Sequence, residues 1–194
     1  VPIISSLAGA SSRGFGSFKN LISASSVASF DSIATTTLSS PQSTLVVGSI
    51  PGTYQHLQIR GILKSTAIPG GTPRLYFNND RTTNSYSMHE IFGNGGGSTG
   101  VNQQFNLDAI YASLGSQNTT QFGAYVINIF DYASTSKSKT IQFIHGFDSN
   151  ASGYVSFSTG MYTSTNAITS FGITPQQTAN FDTGSTMAVY GIKA

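Results

Sequence analysis

The stretch Ser49-Ile50-Pro51-Gly52-Thr53-Tyr54-Gln55-His56-Leu57-Gln58-Ile59-Arg60-Gly61-Ile62-Leu63-Lys64 decides the fold. Pro51 and Gly52 suit the two central positions of a type II turn, where proline pre-sets φ and glycine accepts a positive one. From Leu57 onward, Leu57, Ile59 and Leu63 point one way while His56, Gln58, Arg60 and Lys64 point the other. That is the period of two a half-buried strand requires. Gly61 interrupts the apolar side, which predicts a bulge or the close approach of a neighbouring strand. The segment is expected to be a central strand of a sandwich.

Outward from it, the same punctuation repeats. Phe30–Leu38 is rich in β-branched residues and closes at Ser39-Ser40-Pro41, and Thr44–Val47 leads into the turn. Downstream, Pro69-Gly70-Gly71 marks a loop over 65–72, Pro73–Phe77 a short strand, and Asn78-Asn79-Asp80 a turn. Tyr86–Phe92 alternates in part and stops at Gly93–Gly100, read as a long loop. Phe105–Leu114 suits a strand better than a short helix. Gln121–Asp131 is apolar on both faces and reads as a deep core strand. Ile141, Phe143, His145 and Phe147 continue the pattern, as do Val155, Phe157 and Met161, which alternate with Ser156, Ser158 and Gly160. Asp148–Gly153 joins the two as a hairpin. Ala167–Thr174 and Thr186–Ile192 supply the last strands. Nine or ten short strands separated by turn signals predict an all-β, jelly-roll-like antiparallel β-sandwich over 29–194, a length that fits one domain.

Residues 1–28 are different material. Ser, Ala and Gly dominate, with no sustained period, around Arg13-Gly14-Phe15-Gly16-Ser17-Phe18-Lys19. An extended N-terminal arm is expected, with Arg13, Phe15 and Phe18 as assembly anchors against another subunit; a disordered tail is the alternative for an isolated subunit.

Composition narrows the function classes. Charged residues are 8% of the chain, against roughly 25% in an ordinary soluble domain, so the surface is carried by Ser, Thr, Asn, Gln and Gly. Lys and Arg are scattered singly, with Lys137 and Lys139 the close pair, assigned to a loop. A nucleic-acid footprint needs clustering and is not expected. Cysteine is absent, which removes disulfides and thiolate metal sites. No apolar run reaches the length of a membrane span, so no membrane insertion is expected.

Catalytic chemistry finds little support. There is no Gly-x-Ser-x-Gly elbow, and His89-Glu90 lacks the second histidine of a zinc-protease helix. His145 alternates with apolar residues and reads as a hydrogen-bonded core or sheet histidine, while His56 sits on the polar face of its strand. No pair among the seven Asp and Glu residues is nominated as glycosidase carboxylates, and several occupy turns. No catalytic residue, metal or cofactor is expected. The remaining ligand chemistry is carbohydrate, held by rings that stack on a sugar and amides that read its hydroxyls. Tyr86, Asn94, Asn150, Tyr154 and Tyr162 are the candidate surface-binding loop residues.

Phe30-Asp31-Ser32-Ile33-Ala34-Thr35, Ile50–Arg60, Phe77-Asn78-Asn79-Asp80 with Asn84–His89, Gly93-Asn94-Gly95, Ile129–Ala133 and the closing Tyr190-Gly191-Ile192-Lys193 together resemble a family of small tailed-bacteriophage virion proteins. Leu7–Gly16 resembles the leading segments of such proteins. The resemblance implies a non-enzymatic structural component located in the virion, tail or fibre associated, docking on other virion proteins through the arm and touching a host-surface glycan. Capsid decoration (cement) and a free carbohydrate-binding module are the alternatives. A homo-oligomer, a trimer by the symmetry of virion sites, is the expected assembly.

Overall fold

The computed structural model describes residues 30–66, 73–111, 121–150, 153–175 and 179–193. Within them the chain is entirely strand and turn, arranged as twelve strands: β1 (Phe30–Thr37), β2 (Leu45–Val47), β3 (His56–Leu63), β4 (Arg74–Phe77), β5 (Tyr86–Asn94), β6 (Thr99–Leu107), β7 (Ile110–Tyr111), β8 (Gly123–Phe130), β9 (Lys139–Asp148), β10 (Gly153–Tyr162), β11 (Phe171–Thr174) and β12 (Thr186–Ile192). Eight form one antiparallel sheet in the order β1-β12-β3-β8-β9-β10-β5-β6, and four form a second, β2-β11-β4-β7. The chain passes from one sheet to the other repeatedly, at β1–β2, β2–β3, β3–β4, β4–β5, β6–β7, β7–β8, β10–β11 and β11–β12. The result is a jelly-roll-like β-sandwich. The arm over 1–28, with Arg13, Phe15 and Phe18, lies outside the described residues.

The stretch that decided the fold behaves as its pattern requires. Leu57, Ile59 and Leu63 are buried and β3 lies inside the large sheet, between β12 and β8. Each such burial contributes about 1.5–3 kcal/mol. Gly61 marks a close approach and not a bulge: its register with Met187 and Tyr125 is unbroken, and an added Cβ would lie 2.0 Å from the Thr186 carbonyl oxygen. The preceding turn differs from expectation. Gly52 is not in the left-handed region, whereas Ser49 is, at φ 54°. The Pro51 carbonyl accepts a hydrogen bond from the Tyr132 hydroxyl, so tertiary contact instead of a type II turn sets this corner.

Three further differences from expectation concern β5 to β8. Gly93–Gly100 is not a long loop. β5 runs through Asn94 and β6 begins at Thr99, because the Asn94 Oδ1 accepts from the Gly96 and Ser98 amides at 3.1 and 2.9 Å and closes a tight hairpin with Gly97 at φ 83°. Phe105 belongs to the end of β6, and β7 is a separate two-residue strand, so Phe105–Leu114 is not one strand; 112–120 lie outside the described residues. β8 is buried on one face alone: Tyr125, Ile127 and Ile129 enter the core, whereas Ala124 is exposed and Val126 and Phe130 half-buried.

Candidate assembly face and hairpin-tip groove

On β10 the alternation is present but its outcome is the reverse of the hydrophobic rule. Ser156, Ser158 and Gly160 face the core, and Val155, Phe157 and Met161 face out, 58%, 45% and 42% exposed. The reason lies across the sandwich. Ile110 of the small sheet packs directly over Gly160, where an added Cβ would meet its Cδ1 at 2.9 Å. Small residues are needed beneath it, so the bulky set points to solvent.

The outward residues form a row in register. Val101 on β6 faces Ile91 on β5, Ile91 faces Phe157 on β10, Phe157 faces Ile144 on β9, Ile144 faces Val126 on β8, and Val126 faces Arg60 on β3. Val101 is 82% exposed and Ile91 57%. Beyond Val126 the face turns polar. The Arg60 guanidinium lies 5.3 Å from the rings of Phe30 and Tyr190, and Gln58 donates to Asn128 at 2.7 Å. The apolar half contains a groove of about 400 Å³ lined by His89, Ile91, Val101, Gln103, Phe157 and Thr159, and a second of about 270 Å³ between Ile144, Val155 and Phe157. β6, at the edge of the sheet, carries Val101 and Phe105 outward.

The proposed glycan-reading residues divide. Tyr86 and Tyr162 are buried in the core, so neither lies on a surface loop. Asn94, Asn150 and Tyr154 do come together, in a groove of about 580 Å³ at the tips of the β5–β6 and β9–β10 hairpins, with Phe147 and Asp148. The Gly95 amide donates to the Gly153 carbonyl at 3.0 Å and ties the tips together. Tyr154, however, is no sugar platform. Its ring stacks on Phe92 at 5.4 Å and on His145 at 5.3 Å, and its hydroxyl donates to Glu90 Oε1 at 3.3 Å.

No family model and no curated protein matches the chain. Among solved structures, galectin LEC-6 of Caenorhabditis elegans is 10% identical, with 82% of this chain and 96% of that one covered and a TM-score of 0.32; alginate lyase Aly36B is 10% identical, with 82% and 77% covered and a TM-score of 0.28. At such scores the likeness carries no argument about function.

Beneath Tyr154, Ser156, His145 and Glu90 occupy three adjacent strands, a residue set that invites comparison with a nucleophile relay. The geometry does not make one. His145 Nε2 is 3.9 Å from Glu90 Oε1, and neither ring nitrogen of His145 nor the Ser156 hydroxyl has a hydrogen-bond partner. A relay needs both of those bonds. Ser156 and His145 are each only 3% exposed, closed to any substrate. Burial pushes the Glu90 carboxyl up, but His145, Ser156 and Tyr154 outweigh it and hold it below the ordinary carboxylate range. Among the described residues no three His, Asp or Glu side chains gather as metal ligands. His56 is structural: its Nδ1 accepts from the Asp131 amide at 3.0 Å.

The exposed row on β6, β5, β10 and β9 escaped the sequence reading. Its signal was present in the alternation of Val155, Phe157 and Met161 with serine and glycine. What a period of two lacks is any statement of which face is inside.

Proposed function

We propose that this chain is a non-enzymatic structural subunit of a bacteriophage particle, tail or fibre associated, that works by packing against other protein surfaces. The observation that carries the reading is the apolar outer face, a row of bulky side chains set on a rigid sheet in a chain whose surface is otherwise polar and sparsely charged. Such a face is costly to leave in water and is the mark of a protein–protein contact. The phage setting rests on the resemblance of Ile50–Arg60, Phe77–Asp80 and the closing Tyr190–Lys193 to small virion proteins. Capsid decoration uses the same physics and is the competing location. Electron cryo-microscopy of assembled particles is the test. Density for the sandwich on the tail with the outer face covered is the expected result; density over capsid symmetry axes favours decoration, and absence from particles removes the reading.

A second reading, glycan contact at the hairpin tips, is favoured by the groove that gathers Asn94, Asn150 and Asp148. Binding to a glycan array that Asn150→Ala abolishes would support it. With both rings of the stack around Tyr154 engaged internally, its affinity would rest on amides and carboxylate alone.

A further inference from the structure

We propose that the occupant of the apolar outer face is a second copy of this chain, bound sheet to sheet about a two-fold axis. The inference deepens the reading of the chain as an assembly subunit and rests on it for its setting. Three observations point to self-pairing. The first is area. With roughly 100 Å² exposed on each of Ile91, Val101, Phe105, Ile144, Val155, Phe157 and Met161, the patch is on the order of 700 Å², above the ~300–600 Å² of the largest patch on a typical monomer. It is close to the ~800 Å² that each partner contributes to a standard interface.

The second is charge. On the outward positions of β9, β10, β5 and β6 the ionisable side chains are His89 and, at the hairpin tip that ends β9, Asp148, and Arg60 stands at the far end of the row. A patch laid on its own copy meets its own net charge again, and here there is little of it to repel.

The third is shape. A two-fold contact uses one patch on both partners, so that patch must hold both a projection and a recess. Phe157 projects between the groove on its Val101 side and the groove on its Val155 side. Two aligned sheets pack about 10 Å apart, a spacing that interdigitated side chains of this size fill.

The test is sedimentation velocity on the full chain and on two variants. The wild type is expected to sediment as a dimer at tens of micromolar. Phe157→Glu should weaken association at least tenfold and give monomer with an unchanged circular-dichroism spectrum, because its side chain supports no core contact. Val46→Glu, an exposed substitution on the small sheet, should leave the dimer intact. A monomeric wild type, a trimer, or an oligomer indifferent to Phe157→Glu would each overturn the proposal. Particle incorporation is scored separately: a dimer broken by Phe157→Glu in a protein absent from virions would sustain this contact and remove the virion reading.

Discussion

Tyr86 on β5 and Tyr162 on β10 are direct cross-strand partners whose rings stack at 4.8 Å between centroids and 13° between planes. Both hydroxyls converge on one turn. That of Tyr86 accepts from the Phe77 amide and donates to the Asp80 carbonyl, each at 3.0 Å, and that of Tyr162 donates to Asp80 Oδ2 at 3.0 Å. The pair therefore clamps the β4–β5 connection to the sheet, where Asn78 and Asn79 adopt φ of 51° and 56°. Tyr86→Phe keeps the stack and orphans the buried Phe77 amide and the half-buried Asp80 carbonyl. The expected loss is about 1–3 kcal/mol in urea unfolding, and a change within error would show that water replaces the hydroxyl.

Acid should unfold this protein late and steeply. Burial raises Asp80, Asp108 and Glu90, yet the polar groups around each outweigh it: hydrogen bonds from Thr82 and Tyr162 at Asp80 and from Tyr111 and Arg81 at Asp108, and the neighbouring His145 and Ser156 with the Tyr154 hydroxyl at Glu90. All three end below their ordinary values. A carboxyl depressed in the folded state contributes stability that is present above its unfolded pKa, about 4, and is lost as pH falls through the folded value. Their contribution to the urea midpoint should hold steady from neutral pH down to roughly 4 and fall below it. Asp108→Asn should reduce the slope of that fall, and an unchanged slope would remove Asp108 from the account.

Among the described residues Lys139 is the buried cation of the lysines and arginines. It opens β9, is fully buried, and donates from Nζ to the carbonyls of Ser134, Lys137 and Thr165 at 2.7, 2.7 and 3.1 Å. Burial pulls its ammonium below the ordinary lysine range, although Asp131 opposes that. Lys139→Met keeps the stem and removes three charge-assisted bonds, and the expected cost is about 2–4 kcal/mol. Lys137→Met, at an exposed position beside Asp131, should cost no more than about 1 kcal/mol. Equal losses in thermal melts of the two variants would mean that the carbonyl cage contributes nothing.

Gly61→Ala tests the sheet's tightest seam. The new methyl would meet the Thr186 carbonyl oxygen and the Tyr125 hydroxyl, which lie 2.0 and 2.7 Å from the Cβ position. Backbone cannot step aside as a side chain can, so β3 and β12 must separate, at a cost of about 3 kcal/mol or more. Insoluble or cooperatively destabilised protein is the expected result; an unshifted melting temperature would mean that the seam opens without cost.

Local sequence by itself determined where most of the strands run and which residues alternate. Leu57, Ile59 and Leu63 could be placed on one face because burial follows a period of two, and Asn78-Asn79 could be read as a turn because their side chains tolerate positive φ. Tertiary structure alone decided which face is inside. Val155 and Phe157 point out because Ile110, more than 40 positions away in the chain, needs the space above Gly160, and Lys139 is buried because three carbonyls from two segments surround its ammonium. Polar strands such as β6 were hidden for the same reason. Their pairing comes from backbone hydrogen bonds to a neighbouring strand, which no side-chain pattern records.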